Sequence, residues 1–230
     1  MGCKFCASGM DGLVRDLTPG EIIGQILAAE KDTGERINHV VVMGTGEPFD
    51  NYDNLAGFLR LLHDPNGLNL SLRNITVSTC GLVPGIQKFA EDFPQVNLAI
   101  SLHAPNDEIR CRTMPVSKAY PMPELLSACR EYAEKTGRRV TFEYTLIKGV
   151  NDQKEHAEEL VQRLRGMLCH VNLIPLNTVK ESGFDTTAKK DAQTFQALLE
   201  SKGIPATIRR ELGDEIDGAC GQLRLTNRRK

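Results

Sequence analysis

Two cysteines near the start of the sequence, Cys3 and Cys6, are three positions apart with an aromatic residue between them. Two thiols at this spacing can bind a metal ion, hold part of an iron–sulfur cluster, or cycle between dithiol and disulfide. They can also be two unreactive thiols in a turn. The pair alone does not choose between these chemistries, so the rest of the sequence must decide.

A second candidate is Glu47, in the turn 44–48, which contains two glycines and follows the apolar run 39–43. Glycines let the backbone approach a ligand closely, and a carboxylate at such a turn can hold the ligand's ammonium group. The alternative is a strand-end turn with a solvated glutamate.

A third candidate is Cys220, which has small residues on both sides. Such a loop suits a thiol that must reach into a pocket, although Cys220 could equally be a small apolar residue at the surface. The remaining cysteines lie in or beside apolar or helical runs and are interpreted as structural: Cys80, Cys111, Cys129 and Cys169.

These candidates lie on a chain in which apolar strands alternate with helices. The first helix begins at the capping sequence of Thr18 and Glu21 and stops at Gly34. Further helices are predicted over 54–62, 82–93, 124–136, 152–164 and 188–202. Strands are predicted over 39–43 (as a buried strand), 74–78, 96–102, 140–147, 170–176 and 206–210.

This alternation demands a parallel sheet covered by helices, as an open or partial α/β barrel or a doubly wound sheet. Without a linker or a change in composition, residues 1–230 are expected to form one domain. Polar residues cluster at the carboxyl ends of the strands, the edge at which such folds bind ligands. They are Gly46, Glu47, Ser78, Ser101, His103 and Asn177.

Composition limits the classes of function. The net charge of −2 gives no bulk signal for nucleic-acid binding. No apolar run of transmembrane length and no signal peptide is present, and the odd number of cysteines argues against a disulfide framework. A cytoplasmic protein without membrane partners is expected. The sequence also lacks the Gly-x-Ser-x-Gly nucleophile motif and a phosphate-binding lysine loop. It therefore gives no support for a serine hydrolase or for nucleotide hydrolysis.

Six stretches together resemble the RlmN/Cfr family of radical S-adenosylmethionine (SAM) enzymes, and most closely its dual-specificity rRNA and tRNA adenine-C2 methyltransferases. They occur in family order and cover nearly the whole chain. They are Gly2-Cys3-Lys4-Phe5-Cys6-Ala7-Ser8, Gly44-Thr45-Gly46-Glu47-Pro48, Ser78-Thr79-Cys80-Gly81, Ser101-Leu102-His103-Ala104, Asn172-Leu173-Ile174-Pro175-Leu176-Asn177 and Gly218-Ala219-Cys220-Gly221-Gln222-Leu223. The fold that this resemblance implies is a partial (β/α) barrel.

The resemblance assigns a role to each candidate. Cys3 and Cys6 would be two of three cysteine ligands of a 4Fe–4S cluster, which leaves one iron open to SAM. Cys220 would first be methylated by one SAM molecule and would then carry the methyl group. The residues implied to contact SAM are Gly46, Glu47, Ser78, Ser101, Leu102, His103 and Asn177.

The reaction implied is methylation of C2 of an adenine in 23S rRNA and in tRNA, with flavodoxin or ferredoxin as electron donor. C2 of adenine is electron-poor and not nucleophilic, so a radical route supplied by cofactors avoids an unfavourable polar transfer. A deoxyadenosyl radical from a second SAM would take hydrogen from the methyl group on Cys220. The resulting methylene radical would add to an adenine that has left its stack.

The sequence departs from the family pattern before Cys3. The family has the first of its three cluster cysteines four residues upstream of Cys3, and only two residues precede Cys3 in this sequence. The chain is therefore expected to lack one cluster ligand, the first barrel strand and the family's N-terminal RNA-binding domain, and to be impaired alone. Two alternatives remain open. One is C8 methylation on the same scaffold. The other is a non-catalytic fragment with a dithiol or zinc site, although zinc wants four ligands.

Overall fold

The computed structural model describes residues 1–9, 12–177, 182–210 and 221–222, in which six strands alternate with helices. The strands are β1 Val40–Val42, β2 Ile75–Thr79, β3 Asn97–Ser101, β4 Val140–Leu146, β5 Cys169–Pro175 and β6 Ala206–Ile208. The α-helices are α1 Pro19–Thr33, α2 Tyr52–His63, α3 Val83–Asp92, α4 Asp107–Thr113, α5 Met122–Thr136, α6 Lys154–Leu164 and α7 Lys189–Ser201.

The strands form one parallel sheet whose spatial order is the chain order, β1-β2-β3-β4-β5-β6. A doubly wound sheet would reverse direction at a switch point, and this order does not. Of the two architectures that the sequence left open, the partial (β/α) barrel is therefore confirmed.

One face of the sheet packs against the helices and forms the main hydrophobic core. On β4, Phe142 and Tyr144 are fully buried in this core. Successive side chains of a strand point to opposite faces, so Glu143 and Thr145 lie on the other face. We call this second face the open face. It carries polar side chains on neighbouring strands, among them Thr76, Ser78, Ser101, Glu143 and Asn172.

The helix α1 starts and ends where the sequence predicted, and the residues at its two ends explain why. Thr18 caps the helix, and its backbone amide and hydroxyl group both donate to the Glu21 carboxylate. Pro19 occupies the first turn, where a missing N–H costs nothing. Gly34 ends the helix with a positive φ of 70°, a conformation that glycine adopts without steric cost.

Three sequence predictions about elements were wrong. The strand over 39–43 is not buried, since the side chain of Val41 is 62% exposed. The register explains this, because Val41 pairs with Thr76 and lies on the open face, whereas Val40 and Val42 are half-buried against the helix-covered core. The second error is the omission of α4, which follows β3. The last strand was also predicted too long, since β6 ends at Ile208.

Candidate active site

The cysteine loop, residues 3–8, lies against other segments through its backbone. The amide of Lys4 donates to the carbonyl of Thr113 at the end of α4, at 2.9 Å. The amide of Ala7 donates to the carbonyl of Gly221 at 2.8 Å. The loop closes on itself through the amide of Cys6 and the carbonyl of Cys3, at 3.2 Å. Two distant parts of the chain therefore hold this loop.

The thiols of Cys3 and Cys6 are half-buried beside an apolar cluster that contains Phe5, Met114 and Leu176. Burial, together with the smaller effect of the nearby Cys6, raises the pKa of the Cys3 thiol to about 11. Cys3 is therefore a neutral thiol at pH 7 when nothing is bound. A metal or cluster that binds the thiolate must displace this proton.

The carboxylate of Glu47 is held in one orientation by two backbone amides. Its Oε1 accepts from the amide of Phe49 at 3.0 Å, and its Oε2 accepts from the amide of Cys80 at 2.7 Å. Gly46 has a φ of 109°, which permits the sharp turn before Glu47. The turn is exposed and Glu47 is half-buried, so a fixed anionic group faces the carboxyl ends of β1 and β2.

Ser78 and Ser101 lie on the open face near the ends of neighbouring strands. Ser78 is on β2, and Ser101 is the last residue of β3, directly beside Glu143 of β4 in the sheet register. Their hydroxyl groups can both donate and accept hydrogen bonds. Two hydroxyl groups at this edge can bind polar groups of a ligand.

Most polar atoms of Leu102 and His103 form hydrogen bonds within the fold. The Leu102 side chain is fully buried in the core, its amide donates to the Glu143 carbonyl, and its own carbonyl accepts from Arg110. A polar ligand contact of Leu102 would therefore use the second lone pair of its carbonyl oxygen. His103 has a φ of 53°, and its ring packs edge-on against Phe5 with the ring centroids 5.0 Å apart.

The imidazole of His103 accepts a hydrogen bond on Nδ1 from the amide of Thr145 at 2.9 Å. Burial, together with the smaller effect of the charge of Arg110, lowers the pKa of His103 to about 3. His103 is therefore neutral at pH 7. The sequence left open whether this lone histidine is a satisfied structural residue, and these contacts give it a structural role at the end of β3.

The remaining predicted site residues are Asn177 and Cys220. Asn177 is half-buried and lies just beyond β5, at the same edge of the sheet. Cys220 lies outside the residues that the structure describes. Its neighbour Gly221 is described, and it is the residue that accepts the hydrogen bond from Ala7 in the cysteine loop.

Sequence reasoning missed three buried polar residues around this edge. Asn151 is fully buried, donates to the carbonyls of His103 and Thr145, and accepts from the amide of Ile147. It thereby fixes the backbone on both sides of β4's end. The only sequence signal was its place in the loop after β4.

Glu143 is the second missed residue, and its side chain accepts from Asn172 at 2.9 Å. Burial raises the pKa of Glu143, against the smaller opposing effect of this hydrogen bond. The third is Arg110 on α4, which is fully buried behind the strand ends. Within the described part of the chain, no three His, Cys, Asp or Glu side chains form a group that could hold a metal ion.

Comparison with known proteins shows to which superfamily the chain belongs. The model of the Radical SAM superfamily matches residues 1–163, and the chain belongs to this superfamily. Membership implies a 4Fe–4S cluster and SAM.

Among more specific relatives, the chain is 56% identical to a probable dual-specificity RNA methyltransferase RlmN from Clostridium novyi, over 97% of this chain and 65% of the relative. It is 57% identical to the protein of the same name from Alkaliphilus oremlandii, with the same coverage. The chain thus spans about two thirds, 65%, of the length of these curated relatives.

Solved structures agree with the fold. A radical SAM methyltransferase from Sphaerobacter thermophilus matches with a TM-score of 0.94 and 51% identity, over 97% of this chain and 66% of that one. SuiB from Streptococcus suis, at 14% identity and a TM-score of 0.68, covers 94% of this chain and 51% of its own, and shows the fold alone. No helix among the described residues is long and apolar enough to span a membrane.

Proposed function

We propose that this chain provides the radical SAM core domain of an RNA methyltransferase that methylates C2 of an adenine in 23S rRNA and in tRNA. The curated relatives named as dual-specificity RNA methyltransferases support this proposal by their identity over nearly all of the chain. Because the chain spans only 65% of their length, their substrates enter here as part of the proposal.

The observation that carries the proposal is the hydrogen bond from Ala7 to Gly221. Cys220, which we propose as the methyl carrier, immediately precedes Gly221 in the sequence. The residue next to the proposed carrier therefore contacts the loop that carries Cys3 and Cys6. Methyl-group chemistry at Cys220 needs the cofactor site within about 3–3.5 Å of the reacting carbon, and this contact supports such closeness.

The site residues have distinct proposed roles. Cys3 and Cys6 would hold two positions of the 4Fe–4S cluster, which when bound supplies the electron that cleaves SAM. Glu47, already aligned by two backbone amides, would accept hydrogen bonds from the ammonium group of SAM. Ser78 and Ser101 would bind other polar groups of SAM.

Further contacts with SAM would come from Gly46, from the backbone of Leu102, and from Asn177. His103 would contact SAM as a neutral imidazole and would not exchange a proton, since its low pKa keeps it neutral at pH 7. The target adenine, flipped out of its stack, would meet SAM and Cys220 at the edge of the open face. The proposal includes a cytoplasmic location and a flavodoxin or ferredoxin as electron donor.

The test is anaerobic reconstitution of the chain with iron and sulfide, followed by assays of iron content, SAM cleavage and RNA methylation. Two versions are compared: the chain alone, and the same chain preceded by the residues that precede the match in the Clostridium novyi relative. The iron content of the first version measures what Cys3 and Cys6 bind by themselves. The second is expected to bind a full cluster and to yield 2-methyladenosine in 23S rRNA fragments and tRNA.

Two variants separate the proposed roles. Cys6→Ser is expected to lower iron binding, whereas Cys220→Ala is expected to retain iron and lose methyl transfer. Cys111→Ser is the matched control, since Cys111 is a half-buried cysteine that the proposal does not use. Failure of the longer version to bind a cluster or to cleave SAM would contradict the proposal. Formation of 8-methyladenosine would favour the alternative C8 chemistry, and methylation by Cys220→Ala would refute the carrier role.

A further inference from the structure

Arginines are concentrated at the amino ends of the strands, at the edge of the sheet opposite to the candidate active site. One lies just before β2, two lie just before β4, one follows α6 on the way to β5, and one is on α5. We call this set the basic edge. It consists of Arg73, Arg130, Arg138, Arg139 and Arg165. The whole chain has a formal net charge of −2, so this concentration of cations is a local feature.

Hydrogen bonds connect these arginines along the edge. The side chain of Asn97, at the start of β3, accepts from the guanidinium of Arg138 and donates to the carbonyl of Arg73 at 2.9 Å. The guanidinium of Arg130 donates to two carbonyls at the end of α6, that of Arg165 among them. The first set of contacts joins the starts of β2, β3 and β4, and the second joins α5 to the segment before β5. The guanidinium groups of Arg130 and Arg138 are therefore held in place.

Electrostatic effects show that the arginines also lie close to the start of β5. Burial raises the pKa of Cys169 to about 11, against the smaller opposing effects of Arg130 and Arg139. The pKa of His170 is lowered by burial and, to a smaller extent, by Arg139. Arg139 and Arg165 are exposed. The positive charge of the basic edge therefore extends to β5 and faces water.

Acidic side chains of the helices at this edge are paired with other cations or are outnumbered. Glu91 of α3 forms an ion pair with Lys135 of α5 at 2.9 Å, and Glu159 of α6 forms one with Arg163 at 2.8 Å. The exposed acids of α5 are Glu131 and Glu134. The five arginines of the basic edge outnumber these two carboxylates, so within the described part of the chain the edge keeps a net positive charge.

We propose that the basic edge binds the phosphate backbone of the RNA substrate, away from the site of methyl transfer. This inference rests on the proposed function, because the proposed function supplies RNA as the partner. From β2 to β5 the edge spans three inter-strand spacings of about 4.8 Å, or ~14 Å, a width that matches a few consecutive phosphates of one strand. Arginine suits this role because its planar guanidinium pairs with phosphate oxygens through two parallel hydrogen bonds.

The location of the edge determines which RNA can use it. Strand β4 has seven residues, so the basic edge and the carboxyl ends of the strands are about 20 Å apart. A single nucleotide cannot reach both places. A folded RNA such as tRNA is large enough to place one part at the carboxyl ends and another at the basic edge. The edge would add affinity without sequence preference, since phosphate contacts are the same for every base.

The test is RNA binding by the chain without iron, sulfide or SAM. The probe is a fluorescently labelled, unmodified tRNA transcript, and anisotropy gives its dissociation constant between about 50 and 200 mM KCl. A triple variant replaces the exposed members of the edge, Arg73, Arg139 and Arg165, by glutamine. Each lost phosphate contact should lower the slope of log affinity against log salt by about 0.9. We therefore expect the slope to fall by about 2 to 3 and the affinity at ~100 mM KCl to fall at least tenfold.

Two controls separate the edge from charge in general. Replacement of the same three arginines by lysine keeps the charges and is expected to keep most of the salt slope. The matched control replaces exposed lysines on the outer surfaces of three helices by glutamine, and is expected to change the slope by less than about 1. They are Lys88 of α3, Lys154 of α6 and Lys190 of α7. Circular dichroism and urea unfolding confirm that each variant is folded before its binding is compared.

A decrease in slope that is restricted to the arginine-to-glutamine variant supports the inference. Equal slopes in this variant and wild type, equal decreases in this variant and the lysine control, or no binding of tRNA by wild type would each overturn it. A second probe is a vesicle of phosphatidylserine and phosphatidylcholine, and binding to vesicles but not to tRNA would also overturn it. None of these results bears on methyl transfer. Absence of methylation by the reconstituted longer version, with tRNA binding intact, would contradict the proposed function and leave the RNA contact standing.

Discussion

His103 makes a quantitative prediction about how the stability of this protein depends on pH. Its pKa in the folded chain is about 3, against an ordinary value of 6.5, and burial is the main cause. As pH falls below 6.5, the unfolded chain takes up a proton at this residue and the folded chain does not. The free energy of unfolding therefore decreases with falling pH until about pH 3, and its slope is ~1.4 kcal/mol per pH unit at full effect.

Between pH 7 and pH 5, this one residue should lower the free energy of unfolding by about 2 kcal/mol. The perturbation that isolates it is His103→Asn. Asparagine tolerates the positive φ of 53°, and its Oδ1 can accept the hydrogen bond from Thr145 in place of Nδ1. The variant should lose some stability at pH 7, because it lacks the edge-on contact with Phe5.

The assay is urea unfolding at pH 7, 6 and 5, followed by circular dichroism for wild type and variant. The wild type should lose about 2 kcal/mol more than His103→Asn over this range. Replacement of the exposed His39 by asparagine controls for removal of an imidazole in general. Parallel pH profiles for wild type and His103→Asn would refute the reasoning, since they would mean that His103 titrates alike in both states.

Two further predictions concern packing and a buried acid. Gly57→Ala should destabilise the fold by ~1–3 kcal/mol, because the new Cβ would lie 2.9 Å from Cγ of Pro19, where α2 meets α1. Gly24→Ala, which meets open space on α1, should stabilise it by up to ~1 kcal/mol; urea unfolding measures both. Burial raises the pKa of Glu143, so the folded chain keeps a proton that the unfolded chain loses as pH rises through its ordinary range. Glu143→Gln should therefore gain stability relative to wild type between pH 4 and pH 7.

Different observations would contradict these two predictions. Equal effects of alanine at positions 57 and 24 would show that the α1–α2 contact yields easily to added volume. A constant stability difference between Glu143→Gln and wild type across pH would show that Glu143 is ionised alike in both states. Glu155→Gln, on the exposed first turn of α6, is a suitable control for the loss of a carboxylate.

The sequence was sufficient to predict the sheet because its strands are apolar and its helices begin and end with recognisable residues. Alternation of strands and helices forces parallel pairing, and parallel strands place all carboxyl ends at one edge. The position of Glu47, Ser78 and Ser101 at that edge followed from topology alone. The same reasoning failed for β1, because an apolar run does not reveal how many neighbours will cover it.

The missed helix α4 shows a different limit. Its seven residues are mostly polar and too few to show an apolar period. Arginine is almost never fully buried, so nothing in the sequence marks Arg110 as an interior residue. Its burial is a product of tertiary structure, since its three acceptors come from the ends of two strands that lie apart in sequence.

The hydrogen bond between Ala7 and Gly221 joins segments from opposite ends of the sheet-forming sequence. All strand pairs, by contrast, join strands that are consecutive along the chain. Loop closure over so long a separation is entropically costly until the intervening units have assembled, so this contact should form late in folding. The amide proton of Ala7 is therefore a natural probe. Its protection against hydrogen exchange should report when the cysteine loop is seated, separately from the earlier protection of β3 and β4.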